Sequence, residues 1–318
     1  MQVVRVFPRR TNVTPTDNDC YVGSPTMFAK EYDQVHISCT FTWDIPKAKQ
    51  LQQEWQQYFD DVRIGGPAFD DPGADFTGLY TRPGVTITSR GCPGQCPFCF
   101  VPGREGKIRE LPIVAGNIVQ DNNLLACSKH HRDRVFEMLK TQRAIEFKGG
   151  LQSSLVTDAV ADQLASLSVK AIWLAYDHPN AEKPLIKAVE ILKHFNRNKL
   201  RCYVLIGYKD DTIEMAKERL IRAWEIGTLP FAMLYRDAEG KLPSLDWRRF
   251  QRQWSRPAIY KSILTGEGSL TYYCPVDCKL NAQKQGGCPY LFPPPYLDRG
   301  EHYTLCPKYT GEAKAINK

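Results

Sequence analysis

The chain has no run of 18 apolar residues, so no stretch of it is long enough to cross a bilayer as a single helix. Its first residues, MQVVRVFPRR, hold too short an apolar segment for a secretory signal. A strong charge bias is also missing. Lys and Arg number 42 against 35 Asp and Glu, a formal net charge of +7 over 318 residues. An excess that small and scattered names no partner, and the cluster of Arg248, Arg249, Arg252 and Arg256 reads as a charged helix face. The expected setting is a reducing cytoplasm with no membrane partner. In that setting, eleven cysteines point to metal ligation rather than to a disulfide framework.

Three of those cysteines are concentrated in GVTITSRGCPGQCPFCFVPGREG, Gly84 to Gly106. Cys92, Cys96 and Cys99 follow a β-branched apolar run with the spacing C-x3-C-x2-C, so they can converge on one object at little cost in chain entropy. Structural zinc takes four ligands, usually from two separated pairs. A cubane iron–sulfur cluster held by three thiolates keeps one iron open to a ligand, and this tight triplet fits that better. Gly91, Pro93, Gly94 and Pro97 set the turns of the loop, and Phe98 is placed to shield a metal from water.

At Cys92-Pro-Gly-Gln-Cys96-Pro-Phe98-Cys99 the chain resembles the radical S-adenosylmethionine (SAM) superfamily, whose signature is C-x3-C-x-aromatic-C after the first barrel strand. The preceding Thr88-Ser-Arg-Gly91 is most similar to the branch holding the cobalamin-type members and the methylthiotransferases, and to phage and bacterial radical SAM proteins of unassigned substrate. The resemblance implies a [4Fe-4S] cluster on the three cysteines and SAM on the open iron. It further implies reductive cleavage of SAM to a 5′-deoxyadenosyl radical that modifies a substrate, with a flavodoxin or ferredoxin as reductant.

The rest of the chain reads as α/β. An N-terminal extension, residues 1–83, holds a strand at Val3–Phe7, then a strand at Val35–Trp43, a helix at Lys47–Phe59 and a strand at Asp61–Ile64. This β-α-β unit resembles the end of the Rossmann-like domain of the cobalamin-dependent relatives. Their D-x-H-x-x-G is absent, and His36 lies inside a strand, so it is expected to be a core or pairing histidine and no cobalamin is expected. Residues 84–260 carry six strands, Val85–Thr88, Gly116–Asn122, Ala144–Lys148, Ala171–Tyr176, Arg201–Gly207 and Pro230–Tyr235, interleaved with helices. Such strands suit a parallel sheet under helices, here a partial (β/α)6 barrel, with active-site groups at the strand C-termini.

Strand ends then select residues. Asp121 and Asn122 end the second strand, where the family often has G-G-E for the SAM amino group, and both can accept from an ammonium. Asp177 ends the fourth strand, the family's place for ribose and carboxylate contacts; an N-cap is the structural alternative. Gly207 matches the position where the fifth strand packs on adenine, and Asp211 beyond it reads as a helix cap. Cys20, Cys39, Cys127 and Cys202 read as small buried side chains. No residue stands out as a hydrogen donor or substrate base.

Residues 261–318 change character, with Cys274, Cys278, Cys288 and Cys306 among prolines, glycines and tyrosines. With so little apolar content, such a segment needs a staple, either a second iron–sulfur cluster or a zinc site, with His302 as an alternative fourth ligand. A rival reading is a non-enzymatic zinc-containing nucleic-acid-binding protein, which leaves the triplet spacing and the six strand–helix units unexplained. Within the enzyme reading, positive charge slightly favours a nucleic acid or nucleotide as substrate.

Overall fold

Short β-branched and apolar runs pair into two parallel sheets. The computed structural model describes residues 2–26, 32–71 and 76–265, so the cysteines of the C-terminal extension lie outside the described residues. Met1–Gln251 forms one compact unit and Arg252–Lys318 another.

The N-terminal sheet contains β1 (Val3–Phe7), β2 (Cys20–Val22), β3 (Gln34–Ser38) and β4 (Val62–Gly65) in the order β2-β1-β3-β4, every pair parallel. Helix α1 (Ile45–Trp55) crosses from β3 to β4 and lays Ala48, Leu51 and Trp55 on the sheet, all fully buried. The expected strand to Trp43 stops at Ser38. Its partner β4 turns away at Gly66 (φ 99°), so the chain beyond Cys39 has no ladder to join despite its β-prone residues. Strand β2 was not expected, because three residues in a polar stretch carry no readable alternation.

The second sheet contains β5 (Val85–Thr86), then, beyond the small ribbon of β6 (Ser89–Arg90) and β7 (Arg109–Glu110), β8 (Ile118–Val119), β9 (Ile145–Phe147), β10 (Val169–Ala175), β11 (Leu200–Ile206) and β12 (Leu229–Leu234). Its order is β12-β11-β10-β9-β8-β5, all parallel, so each strand lies beside the next in sequence. Between them run α2 (Val101–Glu105), α3 (Lys129–Lys140), α4 (Asp158–Ala165), α5 (Glu182–Ile191) and α6 (Ile213–Ile226), followed by α7 (Leu245–Trp254) and α8 (Pro257–Thr265). Ser128, Thr157 and Thr212 cap α3, α4 and α6 by accepting from the backbone three residues on.

All six expected strands exist; β5, β8 and β9 are shorter than expected, while β10, β11 and β12 start one or two residues earlier. In β11 the alternation is complete: Leu200, Cys202, Val204 and Ile206 are buried, while Arg201, Tyr203 and Leu205 on the opposite face are only partly covered. On that second face Trp173 on β10 stacks on Tyr203 of β11 with centroids 4.3 Å apart, and Phe231 of β12 meets both edge-on. Among the described residues, no helix is long and apolar enough to cross a membrane.

Trp55 anchors the N-terminal core. Its ring stacks on Phe59, meets Tyr21 edge-on at 5.5 Å, and donates from Nε1 to the Gly23 carbonyl at 3.2 Å. Trp55→Ala is expected to cost about 3–5 kcal/mol of stability, read from the shift in urea midpoint, whereas Trp55→Phe costs less.

Candidate functional site

The thiol loop is tied at its neck. Ser89 and Arg90 pair antiparallel with Arg109 and Glu110, and Leu111 N–H donates to the Thr88 carbonyl at 2.9 Å. Everything from Gly91 to Ile108 is thereby gathered into one excursion beyond β5. Gly91 makes the turn at φ +85°, and a side chain there would meet the Lys107 carbonyl oxygen at 2.2 Å. Inside the loop Arg90 forks onto Glu105, with Nε to Oε2 at 3.0 Å, and both side chains are largely buried.

A run of three residues after β8 braces this neck from below. Asp121, 2% exposed, accepts from Thr88 N–H and Thr88 Oγ1–H, both at 2.5 Å, and from Ser89 N–H at 3.1 Å. Asn122 Oδ1 accepts from Gly91 N–H at 2.9 Å. Asn123 Nδ2 donates to Gln152 Oε1 at 2.7 Å and points at Cys92 Sγ at 3.5 Å. Burial pushes the Asp121 carboxyl up, while its bonds from Thr88 and Ser89 pull it down. Asp121 and Asn122, expected to face SAM, here accept from Thr88, Ser89 and Gly91.

Cys92, Cys96 and Cys99 are unpaired thiols, the first half-buried and the other two exposed. Gly94 N–H donates to Cys92 Sγ at 3.3 Å, and Cys99 N–H to the Cys96 carbonyl at 3.0 Å. Partial burial raises the Cys96 and Cys99 thiols, and the charges of their neighbouring cysteines and of Asp177 add to it. Raised thiols are poor nucleophiles alone and become thiolates readily only against a cation. Among the described residues, no three His, Cys, Asp or Glu side chains gather closely enough to hold a single metal ion.

The other side of the mouth is built from β10, β11 and β12. Asp177, just past β10, accepts from Leu205 N–H on β11 at 2.9 Å, and burial raises its carboxyl to about 6. It is not a cap: His178 Nδ1 caps the turn that follows, accepting from Asn180 N–H. Gly207 turns at φ +72°, and its N–H donates to Asp211 Oδ2 at 2.7 Å. Asp211 is held by Arg219 Nη1 and Nη2 at 2.9 and 2.7 Å and locks this turn, while the expected cap role falls to Thr212.

Phe98 meets Tyr208 edge-on at 5.8 Å, Tyr208 meets Tyr235 at 4.8 Å, and Tyr208 Oη–H donates to the Pro97 carbonyl at 3.1 Å. These contacts pin the tip of the thiol loop to the ends of β11 and β12. Tyr208 escaped the sequence reading, although it adjoins Gly207, which that reading selected. Cys39, Cys127 and Cys202 are buried as expected, and Cys20 is half-buried at the edge strand β2.

Asp177 supplies a pH test in the iron-free chain. Below about pH 4 the carboxyl is neutral folded and unfolded. As pH rises from about 4 to about 6 the unfolded chain gives up its proton while the folded carboxyl keeps it, and stability falls. Asp177→Asn is therefore expected to match wild type below about pH 4 and to exceed it by about 3 kcal/mol above pH 6, measured by urea unfolding across that range.

No family model matches the sequence, and no curated protein matches it. Among solved structures the chain is similar to TsrM from Kitasatospora setae, a radical S-adenosylmethionine methyltransferase with cobalamin and a [4Fe-4S] cluster bound. The identity is 11%, the match covers 74% of this chain and 75% of that one, and the TM-score is 0.53, a likeness of fold.

Proposed function

We propose that the protein is a radical SAM enzyme that binds a [4Fe-4S] cluster on Cys92, Cys96 and Cys99 and modifies a substrate yet to be identified. The observation that carries this is the triplet itself. Three unpaired thiols sit on one tied loop directly after the first strand of a six-stranded parallel sheet. The likeness of fold to a radical SAM methyltransferase supports it, as does the stepwise strand order, which suits an open (β/α)6 barrel over residues 84–260.

The residues fit the cluster. Gly94 N–H and Asn123 Nδ2 aim donors at Cys92 Sγ, the kind of bond that steadies a ligating thiolate. What a cluster and SAM supply when bound is reductive cleavage of the sulfonium to a 5′-deoxyadenosyl radical. The chain's own part is positional. Asp121 and Asn122 set the loop neck, and Phe98 with Tyr208 and Tyr235 walls the mouth against water. Asp177 offers a carboxylate for ribose hydroxyls, and the adenine is assigned to the neighbourhood of the Gly207 turn, on which Leu234 and Trp247 pack. The electron comes from a flavodoxin- or ferredoxin-type donor. Cys274, Cys278, Cys288 and Cys306, which lie outside the described residues, are proposed as ligands of a second metal, and a nucleic acid or nucleotide is the substrate class that the basic balance favours.

Anaerobic reconstitution tests both the centre and the bracing. Wild type is expected to hold about four irons more than the triple Cys92/Cys96/Cys99→Ala variant and, with dithionite and SAM, to release 5′-deoxyadenosine. Equal iron in the two proteins refutes the assignment. Asp121→Ala separates the two roles: a brace loses iron together with SAM cleavage, whereas a SAM contact keeps its iron and loses cleavage alone.

A further inference from the structure

The N-terminal sheet changes direction between β1 and β3. The chain steps outward from β1 to β2 and then crosses back over β1 to start β3 on its far side. In an open parallel sheet such a reversal sends the loops after two adjacent strands apart and leaves a crevice at their carboxyl ends. Here Phe7 to Arg9 after β1 and Ser38 to Phe41 after β3 border a cavity of about 670 Å3. Its opposite wall includes Ile87, Arg90, Gln120 and Asn122, the neck of the thiol loop. The volume lies in the range of sites for small organic ligands.

The lining combines flat apolar surface with a small cationic excess. Phe41, Phe76 and Tyr80 contribute rings, and His36 stacks on Tyr80 at 6.2 Å. Arg9, Arg63 and Arg90 line the cavity against Asp44 and Asp71. Arg9 is paired with Asp44 and Arg90 with Glu105. Arg63 binds Asp61 through Nε and Nη2, each at 2.9 Å, and its Nη1 has no partner among the described residues. That nitrogen, with Nε and Nη1 of Arg9, is a donor left for an anion.

A corrinoid does not fit. His36 has both ring nitrogens engaged, Nδ1 with Tyr80 Oη at 2.7 Å and Nε2 with Gln34 Oε1 at 3.2 Å, and it lies within β3. A corrin macrocycle with its nucleotide tail is also far larger than the space. We propose that this cavity binds a small planar molecule bearing one anionic group, and not a corrinoid. The proposal does not rest on the reading of the thiol loop.

Two fluorescent probes test it on the full chain: 8-anilinonaphthalene-1-sulfonate, a monoanion on a flat naphthalene, and N-phenyl-1-naphthylamine, the same rings without the charge. Thr40, exposed at the cavity rim, and Arg63 supply the variants. Thr40→Trp is expected to abolish saturable binding of both probes. Arg63→Glu is expected to weaken the anionic probe about fivefold and leave the neutral one unchanged. Undiminished binding of both probes to Thr40→Trp overturns the site. Equal anion affinity in wild type and Arg63→Glu overturns the charge assignment, and it decides alone should Thr40→Trp lose the wild-type far-ultraviolet dichroism. Retention of one hydroxocobalamin per chain on gel filtration by wild type, lost in Thr40→Trp, overturns the proposal in favour of a corrinoid.

Discussion

A single buried carboxylate, Asp121, holds the thiol loop to the sheet. A charge 2% exposed is costly unless donors surround it, and the backbone and hydroxyl of Thr88 and the backbone of Ser89 do so. Those donors lie immediately before the loop that carries the cysteines. The same position constrains the next strand: Gly149 passes so close that a side chain there would meet the Asp121 carbonyl oxygen at 2.1 Å. The neck of the loop, the end of β8 and the turn after β9 are therefore one rigid assembly. Whatever the thiols bind inherits its position from it.

The opposite side of the mouth is organised the same way with different groups. Asp211 joins the Gly207 turn to Arg219 on α6, and Asp177 ties β10 to β11. Buried polar bonds thus concentrate at the carboxyl ends of the strands, while the helix-facing sides of the strands are apolar. This division lets one end of the sheet hold side chains in fixed geometry without loosening the core. Within the thiol loop Cys96 and Cys99 are exposed, while Cys92 is half-buried.

The two sheets follow one rule with two outcomes. Both are parallel, and both place their loops at carboxyl ends. In the larger sheet each strand follows its predecessor around, so its loops face a common mouth. In the smaller one the order reverses between β1 and β3, and a cavity opens there. The wall they share is the neck of the thiol loop, through Arg90 and Asn122.

Much of this was written in local sequence. Six apolar runs separated by amphipathic stretches dictate parallel strands under helices, because no other arrangement buries strand and helix faces alike. The C-x3-C-x2-C spacing puts three thiols on one loop by proximity alone. Local sequence also misled, as at residues 39–43, where β-prone side chains have no neighbouring strand to join. Only the tertiary structure decided which way the polar side chains at the strand ends turn. Asp121 and Asn122 fold beneath the loop, Asp211 locks Gly207 rather than capping α6, and Asn123 reaches Cys92. A carboxylate or amide accepts equally well from a ligand or from a backbone amide, so its sequence position cannot say which. The choice is made by the donors that packing brings within about 3 Å.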